Sequence, residues 1–337
     1  MNREWDQAVA TANATRYRAT QRSGHYESFF QRANHPTRPL AFWIRYTIFS
    51  PDHRPQDALG ELWAIFFDGE SGRHVAVKRE VSFSRCSFSN AELLADVDGA
   101  RLEPGKLRGS AATGDHSLRW DLTFTGAAAP LFLLPLRLYR TTLPSAKSLV
   151  ALPLARYRGD ISVDGRRVEV ADWIGSHNHN WGRKHTDEYR WGQVAGFDTH
   201  PDSFLEVASA RLKIGPLWTP IITLIVLRHN GEELRLNGLL QGIRADSAFE
   251  YFRWSFRSAT GSVRVDGHIS APREAFVGLA YRNPPGGTKH CLNSKLAACK
   301  LRVSHAGAGA AQTLSTRHRA AFEILTDDRG HGVAIRA

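Results

Sequence analysis

From residue 25 onward, apolar side chains recur at every second position. Phe42, Ile44, Tyr46 and Ile48 alternate with Trp43, Arg45, Thr47 and Phe49. Successive side chains of an extended chain point to opposite faces, so this spacing predicts a strand with two distinct faces. Glu61 to Phe67 repeats the pattern, with Trp63, Ile65 and Phe67 on one side. Asp68-Gly69, Asp98-Gly99, Asp164-Gly165, Asn230-Gly231 and Asp266-Gly267 punctuate these runs. Such pairs supply the positive φ that a two-residue hairpin turn needs. Only residues 3–22 read differently. Trp5, Ala8, Val9 and Ala12 fall at helical spacing and predict a short N-terminal helix. The chain is therefore expected to be mainly β, built as antiparallel barrels or sandwiches.

Residues 126–160 interrupt the rhythm with Pro130, Pro135, Pro144 and Pro153, which predicts an irregular crossover leading to a hairpin from Gly159 to Val170. The reading divides the chain into an N-terminal helix or arm over 1–22, a first β domain over 23–170 and a second over 171–337. Residues 283–294, rich in Pro and Gly, are expected to be a loop, and Ala306 to Ala311 a small linker. A length of 337 residues suits two domains of roughly 150 residues each.

Composition changes the picture in three ways. The formal net charge is +11, yet no run of four Lys/Arg occurs. Nucleic acid is not an expected partner, and the surplus leaves a weak contact with an anionic membrane surface as the charge-based expectation. The three cysteines show no C-x-x-C spacing, which fits a reducing compartment rather than a disulfide framework. The N-terminus lacks an apolar signal region and no apolar run approaches a membrane span, so the chain reads as cytoplasmic.

The candidate chemistry is concentrated in residues 173–193. Three histidines (His177, His179, His185), two asparagines (Asn178, Asn180) and three tryptophans (Trp173, Trp181, Trp191) fall within 21 positions. If 177–181 is extended, His177, His179 and Trp181 share one face, with Asn178 and Asn180 on the other. His179 could deliver a proton and Trp181 could stabilise a developing cation through its ring face. Asn180 and His185 would orient a ligand. The plain alternative is a hydrogen-bonded corner that locks two domains together. The spacing is no specific zinc pattern, and neither metal nor cofactor is expected. In the next strand Tyr189, Trp191, Gln193, Ala195 and Phe197 share a face that would suit either a ligand-facing barrel interior or an outer face packed on the neighbouring domain. Glu206 follows as a candidate second acid of raised pKa. Arg45 could hold a carboxylate or phosphate, or lie outward over aromatics. Motifs of serine hydrolases, dinucleotide enzymes, P-loop NTPases and zincins are absent.

At His179-Asn180-Trp181-Gly182, then His185 and Trp191, the sequence resembles the hydroxyneurosporene synthase (carotenoid 1,2-hydratase)/AttH-like lipocalin superfamily, to which tocopherol cyclases and lipocalin-like Diels-Alderases look related. The lead-in Gly159 to Gly165, Trp173 and the N-terminal Glu27-Ser28-Phe29-Phe30 are also similar. The resemblance implies two lipocalin-like β-barrels and a hydrophobic ligand, often isoprenoid or polyene, in or between them. It also implies cofactor-free proton-driven chemistry such as hydration or cyclisation. In the hydratases a histidine and a tryptophan of this motif act with a tyrosine and an aspartate further on. His179 and Trp181 match the first pair; the following strand offers Phe197-Asp198 and Glu206 rather than a clear Tyr-x-Asp. A non-catalytic lipid carrier on the same scaffold is the rival expectation.

Overall fold

The alternating patterns become two large antiparallel sheets, of 12 and 10 strands, in a computed structural model that describes residues 3–307 and 310–337. The first runs through Leu59–Asp68, Leu40–Ser50, His25–Asn34, Arg166–Gly182, Ala146–Val163 and His116–Thr125. Its edge strand Val75–Ser82 curls back toward Lys106–Thr113, where the Lys78 N–H donates to Thr113 Oγ1 and that hydroxyl donates to the Lys78 carbonyl, both at 2.9 Å. These bonds draw the sheet into a nearly closed barrel. The second sheet runs through Ile222–His229, Phe204–Arg211, Glu188–Ala195, Gln312–Thr326, Thr288–His305 and Val263–Ser270. The architecture is mainly antiparallel β, as the pattern implied.

Strands His25–Asn34 and Leu40–Ser50 are buried at every position. The alternation explains this. On one face Phe29, Phe42, Tyr46, Trp120, Phe124, Tyr157 and Trp173 fill the first barrel. On the other, Phe30, Trp43 and Trp63 pack against Trp191, Leu279 and Tyr281 of the second. Each fully buried aromatic of this kind stabilises the fold by about 1.5–3 kcal/mol. Aromatics on both faces of one strand thus report a barrel filled within and covered without.

The expected short N-terminal helix is present as Arg3–Ala10, with Ala12 of the predicting spacing just past its end. From Thr15 the backbone donors go to tertiary acceptors instead of local turns: Thr15 N–H to the Ser89 carbonyl, Arg16 and Tyr17 N–H to Glu27. Several expectations are corrected. Residue 171 is not a boundary, because Arg166–Gly182 is one unbroken strand of the first sheet and the chain crosses over only between Gly182 and Glu188. The 283–294 loop ends early, since Thr288 already begins an 18-residue strand. Residues 306 and 307 form a turn after that strand, while residues 308 and 309 of the Ala306–Ala311 segment lie outside the described residues. Asp98-Gly99, Asp164-Gly165 and Asn230-Gly231 do form turns with positive φ at both positions. Asp266-Gly267 does not: it lies inside Val263–Ser270. A Cβ on Gly267 would come within 2.1 Å of the Phe256 ring, so this glycine makes room for an aromatic rather than a turn.

Candidate functional site between the barrels

The strand Arg166–Gly182 divides the motif between two environments. Its odd positions His177, His179 and Trp181 turn toward the first barrel and the N-terminal arm. Ser176, Asn178 and Asn180 turn toward the second barrel. The pleat thus separates the histidines from the asparagines, as the alternation predicted.

His179 is fully buried. Its Nε2 lies 2.8 Å from Glu27 Oε1 and its Nδ1 2.7 Å from the Ala12 carbonyl, both within hydrogen-bond distance. Both ring nitrogens face acceptors, so both are committed to the protein's own chain. Glu27 also accepts from His25 Nε2 at 3.0 Å and from the N–H groups of Arg16 and Tyr17 at 2.7 and 2.8 Å. Burial alone would raise the Glu27 carboxyl. Hydrogen bonds and charge from His179 and His25 outweigh it and hold the group at about 2. Phe29 stacks on His179 at 4.2 Å. The Arg16 guanidinium lies 5.0 Å over the Trp181 ring, so the face expected to meet a substrate cation is occupied by a side chain of the arm. His177 accepts from Gln31 and bonds Asn13 Oδ1 at 2.8 Å; burial keeps it neutral, lowering it to about 3.

On the opposite face Gln193 is a hub. Its amide nitrogen donates to Asn178 Oδ1 and Glu206 Oε2, each at 2.8 Å. Its carbonyl accepts from Ser176 Oγ at 2.6 Å and Arg32 Nε at 2.7 Å. These bonds tie residues of the first sheet to residues of the second, so the Trp191/Gln193 face is the outer face packed on the neighbouring domain. Phe197 leaves that face, because Gly196 at φ 73° breaks the alternation and sends the ring into the core of the second barrel. Glu206 is buried and accepts from Trp191 Nε1 at 2.7 Å. Burial raises its carboxyl to about 7, against the lowering pull of the Trp191 and Gln193 bonds.

Beside this network a cavity of about 30 Å³ lies between the barrels, lined by Tyr26, Trp43, Arg45, Asn180, His185 and Tyr281 among others. Three sequence candidates, Arg45, Asn180 and His185, meet here. Arg45 faces outward from the first barrel, yet the second barrel covers it and leaves it 5% exposed. Its guanidinium stacks 4.5 Å from the Tyr281 ring. His185 lies against Tyr26 at 4.0 Å and is lowered to about 3 by burial and then by the Arg45 charge, so it stands neutral. Arg45 Nε, Trp43 Nε1 and Tyr281 Oη are buried without hydrogen-bond partners. Trp191, opposite Glu323 in the β-ladder, links the cavity wall to Glu206. A second cavity of about 300 Å³ opens at the far end of the first barrel, around Trp173, Phe66 and Arg166. Most of its charges are paired, Arg38 with Glu70, Arg166 with Asp68 and Arg167 with Asp160.

Sequence reasoning missed Glu27, Tyr281, Glu323 and Lys295 as members of these clusters. Glu27 carried a signal: a carboxylate at an inward position of a strand between His25 and Phe29. Lys295, fully buried against Glu323 at 2.8 Å, had none, because its partner is 28 residues away. Among the described residues no group of three His, Cys, Asp or Glu is arranged to hold a metal ion. No helix among them is long and apolar enough to cross a membrane.

The two-barrel arrangement has counterparts among solved proteins. A protein assigned as AttH from Nitrosomonas europaea superposes with a TM-score of 0.55 at 12% identity, covering 92% of this chain and 94% of its own. Kievitone hydratase from Nectria haematococca superposes with a TM-score of 0.56 at 12% identity, covering 90% and 89%. The chain thus shares its fold with these two proteins, in keeping with the resemblance at His179-Asn180-Trp181-Gly182. No protein-family model matches it. In sequence it is similar to two uncharacterized proteins of Mycobacterium tuberculosis, 28% identical over 204 residues, or 60% of this chain. The match spans 59% of the length of those relatives.

Proposed function

We propose that this protein binds a hydrophobic small molecule of lipid or isoprenoid type, with its polar end seated between the two barrels. We further propose that it carries out cofactor-free acid chemistry on that molecule, with Glu206 as the proton source. The observation that carries the reading is the inter-barrel cavity, whose wall holds buried polar atoms without partners. A folded chain rarely leaves such atoms unmet unless something else meets them. At about 30 Å³ the cavity suits a functional group rather than a whole isoprenoid, so the polar end of the ligand is what it would recognise.

Glu206 suits the acid role better than His179. A carboxyl at about 7 is half-protonated at neutral pH, the poise a general acid needs. In the proposed step Glu206 gives its proton to a double bond of the ligand. The resulting cation is captured by water and the oxonium loses a proton, or is captured by a second double bond and the new cation loses a proton, or loses a different proton directly; the released proton passes to solvent or back to the carboxylate. These outcomes are hydration, cyclisation and isomerisation, and a proton from solvent restores the carboxyl.

The carrier reading is favoured by a separate observation: both oxygens of Glu206 are already held, by Trp191 and Gln193. Mass spectrometry of co-purifying molecules separates the two. A substrate–product pair in the wild type, with substrate alone in Glu206→Gln, is the expected result. One unchanged lipid in both proteins establishes the carrier. Failure of any hydrophobic molecule to co-purify, or to bind from a lipid panel, refutes both.

A further inference from the structure

The charges around the inter-barrel cavity do not cancel. Glu323 is ion-paired with Lys295 at 2.8 Å and Glu61 with Lys78 at 3.0 Å. Lys289, nearby on the same strand as Lys295, pairs with Asp327 at 2.8 Å. The Arg45 side chain makes no hydrogen bond or ion pair among the described residues, and only the rings of Tyr281 and Trp43 lie against it, at 4.5 and 5.9 Å. The Nε–H of this buried guanidinium has no acceptor, and the two terminal nitrogens are left to whatever occupies the cavity, which favours an anion there. The Trp43 Nε1–H at this wall is likewise a donor without a partner. The rim is formed by half-buried Asn180, Thr186 and Tyr189, so an occupant can enter from solvent.

From this geometry we infer that the cavity binds a carboxylate, held by Arg45, and that the protein's ligand is a hydrophobic carboxylic acid whose head sits there. This rests on the reading of the cleft as a ligand site and names the chemical class of that ligand. The planar fork of Arg45 matches a carboxylate in two parallel hydrogen bonds. Tyr281 beneath the guanidinium fixes its plane, and neutral His185 adds no competing charge. The aromatic lining of Tyr26, Phe30 and Trp43 receives the first carbons of the chain.

The test uses the full chain and the fluorescence of its tryptophans, Trp43 among them. Dodecanoate and dodecanol, both below their aggregation limits, are titrated separately, and sodium acetate serves as the free-anion probe. Dodecanoate should bind at least about tenfold more tightly than dodecanol, and acetate should compete with it. Arg45→Gln should abolish the difference between acid and alcohol, and Arg45→Lys should keep part of it. The acetate competition requires no variant, so it decides even where Arg45→Gln folds poorly. Equal binding of acid and alcohol overturns the carboxylate inference and leaves the hydrophobic-ligand reading standing. Binding of acetate without dodecanoate overturns the inference in favour of a free-anion site. Binding of none of the three overturns the inference and the cleft reading together.

Discussion

Replacing Glu27 by Gln tests the account of the first barrel's arm-covered mouth. The carboxylate accepts from two backbone N–H groups and two imidazoles, and it is fully buried. Its folded value of about 2 lies below the ordinary 4.5. A depression of that size is worth roughly 3 kcal/mol. The sign is definite. A carboxyl depressed by folding stabilises the native state above its unfolded value, and that stability drains away as pH falls from about 5 toward 2. The wild type should therefore lose about 3 kcal/mol across that window from this group alone. Glu27→Gln should lose a similar amount already at pH 7, since His25 and His179 would face a neutral amide, and should then show a flatter acid limb. Urea denaturation at pH 7, 5, 4 and 3 measures both, and amide exchange of Arg16 and Tyr17 reports whether the arm has lifted. A loss under about 1 kcal/mol at pH 7 with an unchanged acid limb would refute the reasoning.

Other expectations follow from the buried polar groups and from packing. His177 and His185, both lowered to about 3 by burial, stay neutral in the fold but protonate in the unfolded chain below about 6.5. Stability should therefore fall as pH drops through that window, and His177→Gln should reduce the proton uptake on unfolding near pH 5 by about one, measured by calorimetry in two buffers. Gln193→Leu strips partners from Arg32, Ser176, Asn178 and Glu206 at once and should cost about 3–5 kcal/mol in denaturant titration. Gly267→Ala drives a methyl into Phe256 and should cost about 1–3 kcal/mol. Adding Phe256→Leu should return part of that, and a simple sum of the two losses would show that the sites do not touch.

The strands and the mainly β class were legible because alternation is local: Phe42 to Phe49 reads as a strand from eight residues. Alternation also split the histidines from the asparagines correctly. What it could not supply is which face looks where. Trp191 and Gln193 would show the same spacing inside a barrel as on its outside, and only the second sheet packing on the first decides. Arg45 is a sharper case. Between Trp43 and Thr47 it reads as a surface arginine, and its burial comes from Tyr281, more than two hundred residues away. The boundary at 171 failed for a related reason. Turn chemistry marks where strands end, and Asp164-Gly165 is such a mark, but nothing local says that the returning strand carries 17 residues before crossing over. Asp266-Gly267 misled because a glycine chosen for a neighbouring ring looks the same as one chosen for a turn.

The arm that reaches Glu27 is chemically a peptide ligand joined to its own receptor. Its two donors stand 11 and 10 residues before the carboxylate they bind. A tether that short holds the arm at a local concentration on the order of millimolar. Any molecule entering the first barrel from this end must outcompete a backbone that never diffuses away. Shortening the chain to begin after Tyr17 would remove that competitor while leaving every strand intact. The same barrel would then offer an open mouth with His25, Glu27 and His179 at its floor, a receptor unmasked by deletion.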